Sequence, residues 1–145
     1  MGFKYYSRKN RKTFFETVAE ASQDPGNLAV SITRNNFIHL YRASVRHFDL
    51  TQYRYCMPVF DALTNRMGIK FFTKTDVEEN PELKDHIRGL YFWGDPPMGK
   101  VYVQGFLRQL GLGSEPFYSI PARWNAEEHI LHFPHPRRPV GNPTD

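Results

Sequence analysis

Arg34, Asn35, Asn36, Arg42 and Arg46 are residue types that hydrogen-bond base edges bidentately or grip phosphate oxygens. Lys9, Arg11 and Lys12 precede them in a basic amino-terminal stretch. Tyr41, Tyr53 and Tyr55 interleave with these cations, and rings on one sheet face, set between positive charges, can stack the bases of a single strand. Strand alternation leaves Tyr53 and Tyr55, or Tyr41, facing outward and turns the other rings into the core. The plainer alternative makes Asn35-Asn36 a turn that tolerates positive φ and the arginines solvated surface charge.

Other chemistry finds little footing. His129, His132 and His135 are spaced by three, but residues three apart on a strand face opposite sides, so metal ligation would require His135 to fold back from a proline-rich tail. Glu127-Glu128 suits a solvated turn, and Ser44, one helical turn before His47, suits a helix cap. The sequence has no phosphate-cradling glycine loop, G-x-S-x-G or metalloprotease motif. These features point to a non-enzymatic protein with no cofactor and no metal.

The elements positioning these residues must fit in 145 residues, one compact domain or two small units sharing a core. Twelve Phe, eight Tyr and two Trp can fill that core and leave rings on the surface. The single Cys56 precludes an internal disulfide and fits a reducing compartment. No long apolar run follows the basic amino terminus, so neither a signal peptide nor a membrane helix is expected, and the setting is read as cytoplasmic or nucleoid-associated. The net charge of +4 is unevenly placed. Residues 1–12 carry Lys4, Arg8, Lys9, Arg11 and Lys12 without an acid, residues 28–74 are also strongly basic, and residues 75–88 are acidic. Such a field suits a polyanion, since each cation set against a phosphate releases counterions.

Periodicity predicts an α+β fold, mainly β, with a short amino-terminal helix. Its parts are a basic aromatic arm (1–12), a short helix and turn (13–27), a basic ββαββ unit (28–74), an acidic connector (75–88), a second ββαββ unit (89–133) and a proline-rich tail (134–145). In the first unit, strands 28–33 and 37–41 flank the Arg34-Asn35-Asn36 turn, a short helix follows, and strands 53–63 and 66–72 form a second hairpin. Pro58 implies an edge or a bulge there. The connector is expected to hold one helical turn near 82–86 and to be too polar for the core. In the second unit, strands near 89–93 and 100–104 precede a helix at 105–110 and a hairpin of 117–124 with 129–133. Setting Phe48-Asp49-Leu50 on Leu110-Gly111-Leu112 also sets Arg46 on Arg108, which suggests an internal repeat closing one pseudo-twofold barrel or sheet.

Phe106-Leu107-Arg108-Gln109-Leu110-Gly111-Leu112 resembles the short helix of AbrB-type swapped-hairpin regulators, and Val45-Arg46-His47-Phe48-Asp49-Leu50 resembles it more loosely. In the MraZ-like tandem members of that family two such units close one barrel. The resemblance, over about residues 28–133, implies DNA contacts from Arg34, Arg42 and Arg46. The chain departs from the family at the first turn, which lacks Gly-Arg, and at the helix starts, which lack Pro.

The expectation is thus a DNA-binding protein, for single or double strands, that grips phosphates with the amino-terminal arm and first unit. Exposed strand edges leave room for a homodimer. The competing reading is a protein-interaction or assembly module, such as a small viral or accessory protein, using the acidic half and the proline tail.

Overall fold

The structure, a computed structural model, describes residues 28–112 and 115–137. The arm with Lys9, Arg11 and Lys12, the helix expected within 13–27 and the tail beyond 137 lie outside the described residues. The fold is α+β and mainly strand, with two antiparallel five-stranded sheets and three short helices.

The first sheet takes β1 (Ala29–Ile32), β2 (Phe37–Leu40), β6 (Tyr91–Trp93), β7 (Met98–Tyr102) and β8 (Phe117–Pro121), in the order β6-β7-β2-β1-β8. The second takes β3 (Tyr55–Asp61), β4 (Arg66–Phe72), β5 (Arg88–Gly89), β9 (Arg123–Asn125) and β10 (Ile130–Pro134), in the order β5-β3-β4-β10-β9. Each sheet is joined at its middle by strands from different halves of the chain: β2 pairs with β7 and β4 with β10. The core lies between the sheets. Val30, Ile32, Ile38, Leu40 and Val101 face Met67, Ile69, Phe71, Leu131 and Phe133, all essentially inaccessible.

Local sequence explains the turns and helices. In the β1–β2 turn Asn36 adopts a positive φ of 69°, which asparagine tolerates, and its carbonyl accepts from the Val103 N–H at 2.9 Å. Helix α1 (Arg42–His47) follows without a side-chain cap. Ser44, expected to cap it, is instead fully buried: its hydroxyl donates to the Ala29 carbonyl at 2.8 Å and accepts from the Ala29 N–H at 3.0 Å, fastening α1 to β1. The helix ends at Asp49, with φ 53°, and buried Leu50 opens a 3-10 turn over Leu50–Gln52. Helix α3 (Gln104–Gln109) ends alike, on Gly111 with φ 76° followed by buried Leu112. Pro58 is at a margin, because β5 covers β3 only at Tyr55 and Cys56.

Three expectations need correction. The acidic connector belongs to the fold: helix α2 (Lys74–Glu79) has a capping box between Thr73 and Asp76, and its buried Val77 packs on Met57 and Phe72 of the second sheet. The strand expected over 117–124 divides at Ala122, and β8 leaves its hairpin to pair with β1, where Ala122 N–H donates to the Leu28 carbonyl at 2.9 Å. The start of the tail also contributes burial, since His135 is 3% exposed and its Nε2 lies 2.7 Å from the Leu110 carbonyl oxygen. No helix among the described residues is long and apolar enough to cross a membrane.

His132 is wholly buried, and its Nδ1 accepts from Arg66 Nε at 2.9 Å. Burial, and then the positive Arg66 and Arg123, hold its pKa well below the ordinary value of 6.5. Below that value the unfolded chain takes up a proton that the folded chain refuses, so stability falls with falling pH. His39, lowered by burial and by Arg42 and Lys100, acts in the same direction. Unfolding free energies from denaturant titrations at about pH 7.5 down to about pH 5 are expected to drop below roughly pH 6.5, by up to ~1.4 kcal/mol per pH unit for a fully resisted protonation. A level profile would contradict this.

Candidate functional site

Alternation in the first sheet turns Ile38, Leu40, Val101 and Val103 inward and leaves the opposite side chains of β2, β6 and β7 on the outer face. That face is a continuous aromatic surface. Tyr91 and Trp93 stack at 5.8 Å between centroids, Trp93 stacks on His39 at 5.8 Å, and His39 meets Tyr41 edge-on at 5.3 Å. Phe37 and Tyr102 make a further edge-on pair at 5.2 Å. Tyr91 remains 58% exposed, Tyr102 50% and Trp93 36%.

Lys100 stands amid these rings, its ammonium 4.5 Å from the centroid of Phe37, 5.4 Å from Tyr91 and 5.5 Å from Trp93. Register explains this: Lys100 pairs with Tyr91 on one side and His39 on the other, and Phe37 with Tyr102. A cation over ring faces is attracted by their quadrupoles, so Lys100 holds a positive charge against the surface it shares with the rings. His39, whose pKa is lowered by burial and by nearby Arg42 and Lys100, presents a flat ring beside them; its Nε2 lies 3.2 Å from Met98 Sδ.

The face is also fixed in place. The Tyr41 hydroxyl bonds to the Ser31 hydroxyl and accepts from the Ser119 N–H at 3.1 Å, tying β2 to β1 and β8. Arg42 donates from Nε to the Pro96 carbonyl at 2.8 Å, holding the β6–β7 turn. At Gly99 an added Cβ would lie 2.9 Å from the Phe92 ring, so the glycine lets Phe92 pack closely across the strand pair.

Of the residues expected from sequence, Tyr41 lies on this face, and Arg42 adjoins it through the β6–β7 turn. Arg34 and Asn35 are exposed at the β1–β2 turn, while Asn36 is half-buried there; Arg46 is exposed on α1. Tyr53 and Tyr55 must be moved. Tyr53 is 4% exposed and packs in the core with Phe71 and Trp124, while Tyr55 is half-buried beside Met57, Phe72 and Val77 of the second sheet. Both therefore lie away from the aromatic face of the first sheet. Phe37, Tyr91, Trp93, Lys100 and Tyr102 went unmarked in the sequence, although Phe37-x-His39-x-Tyr41 and Lys100-x-Tyr102 carry the period-two signal.

No protein-family model matches the chain, and comparison with curated proteins and solved structures yields no significant match. The three histidines of the spaced set serve separate contacts: His129 stacks near Trp124, His132 meets Arg66 and His135 meets Leu110. Among the described residues no group of three His, Cys, Asp or Glu side chains is placed to hold a metal. Cys56 is buried, and burial raises its thiol to about 12, which leaves it unreactive near neutrality.

Proposed function

We propose that this chain binds single-stranded nucleic acid without catalysing a reaction, stacking bases on the outer face of the first sheet. The observation that carries the reading is the placement of Lys100 among Phe37, Tyr91 and Trp93 on an exposed strand face, which offers a base a ring and a phosphate a charge within one nucleotide's reach. Arg34 at the adjoining turn and the basic stretch containing Lys9, Arg11 and Lys12 supply further phosphate contacts. Duplex DNA gripped by Arg34, Arg42 and Arg46, as the AbrB resemblance implies, draws less support, because the Arg42 Nε is committed to the Pro96 carbonyl, which ties that side chain to the β6–β7 turn.

We infer also that the two halves are copies of one unit that together close a barrel. In support, a shift of 62 residues carries buried Val45 and Leu50 onto buried Leu107 and Leu112, and carries positive-φ Asp49 onto positive-φ Gly111. Each half places one hairpin in each sheet.

Fluorescence anisotropy with labelled single- and double-stranded DNA oligonucleotides across a salt series tests the function. Tighter single-strand binding that weakens steeply with salt is the expected result. Binding of neither at low salt would sink the reading and turn attention to a protein partner for the same face.

A further inference from the structure

Beside the aromatic face, between β5 and the start of α3, lies a cleft of about 440 Å³ lined by Arg88, Gly89, Tyr102, Gln104 and Gly105. Arg88 is half-buried and its Nε is fully enclosed without a hydrogen-bond partner among the described residues. Its guanidinium makes no ion pair with any carboxylate among the described residues. An enclosed N–H without an acceptor is unfavourable, and an anion in the cleft, drawn by the guanidinium charge, would supply one. The cleft holds a second donor. The Tyr102 hydroxyl donates to Gln104 Oε1 at 2.7 Å, which commits the amide oxygen and leaves the amide NH2 to donate elsewhere. Its walls are open, since a Cβ added at Gly89 or Gly105 would meet nothing within 4 Å.

Tyr102 belongs both to this cleft and to the aromatic face, where it packs edge-on against Phe37 beneath Lys100. We propose that the cleft is a phosphate site: Arg88 and the Gln104 amide hold a phosphodiester oxygen of the nucleotide stacked on Tyr102, so a bound strand runs from Tyr91 and Trp93 past Lys100 and over Tyr102 to Arg88. This deepens the single-strand reading and rests on it for the path, whereas the anion site stands on the cleft alone.

Two probes separate these parts. In 15N-labelled protein titrated with sodium pyrophosphate, the Gly89, Gln104 and Gly105 amide signals are expected to shift with saturation in the wild type and to stay still in Arg88→Gln. Absence of these shifts in the wild type, or equal shifts in both proteins, overturns the anion site. With a single-stranded oligothymidine, Arg88→Gln is expected to bind about tenfold more weakly and to lose roughly 0.7 from the slope of log affinity against log salt, the contribution of one single-strand phosphate. Arg88→Lys, which keeps the charge, should retain most of that slope, and the unchanged fold of each variant is read from its thermal melt. If the wild type binds the oligonucleotide and Arg88→Gln leaves affinity and slope unchanged, the strand does not enter the cleft and the proposed path is wrong, while the stacking face stands. If the wild type binds no oligonucleotide, the path falls together with the single-strand reading, and only the pyrophosphate result bears on the cleft.

Discussion

Replacing Tyr91 and Trp93 together by alanine is expected to weaken single-strand binding by on the order of 100-fold with little change in the melting temperature. Each base stacked on an aromatic ring contributes roughly 1–3 kcal/mol, so losing two platforms reaches that range even if one stack is partial. Folding should be spared, because Tyr91 is 58% and Trp93 36% exposed on a three-residue edge strand, outside the packed core. The neighbouring His39 keeps Tyr41 and Met98 as contacts when Trp93 is removed. Anisotropy titrations with an oligothymidine, paired with thermal melts, provide the check. Undiminished affinity in a folded double variant would mean that bases do not stack on this margin of the sheet.

Tyr53→Ala should give the opposite pattern. The ring is 4% exposed, packs against Phe71 at 5.4 Å and Trp124 at 6.1 Å, and lies 5.7 Å from His129. Truncating a large core aromatic costs about 3–5 kcal/mol, a large part of the stability of a small domain. Chemical denaturation should show a loss of this size, while binding scaled to the folded fraction should remain that of the wild type. Tyr53→Phe keeps the ring and should recover most of the stability. A stable Tyr53→Ala protein with weakened binding would return the residue to the binding surface.

Tyr53 also shows how far the sequence could be read. Treating a strand as beginning at Tyr53 sets Tyr53 and Tyr55 on one face, but the strand begins at Tyr55. Tyr53 caps the 3-10 turn of Leu50–Gln52, where the period of two does not govern its direction. The Arg34-Asn35-Asn36 turn, the hairpin of β3 and β4 and the helices at 42 and 104 were legible, because turn chemistry and apolar spacing are local. The exposed rings of β6 were not: Tyr91-Phe92-Trp93 is aromatic throughout, so alternation gives no sign of which side meets water. Helix α2 has one buried apolar residue, Val77, and hence no stripe; only Thr73 followed by Asp76 marks its start. The defection of β8 to β1 is a long-range pairing that no nearby residue announces.

The passage from Arg88 to Trp93 forms the margin of the second sheet through β5 and of the first through β6, with the Leu90 N–H held by the Arg54 carbonyl between them. A hem sewn into two pieces of cloth cannot come loose from one without pulling on the other. Whatever occupies the rings at one end of this passage, or the guanidinium at the other, therefore restrains both sheets at once, and the gain should appear as slower amide exchange in β3 and β7 alike, far beyond the residues that touch the ligand.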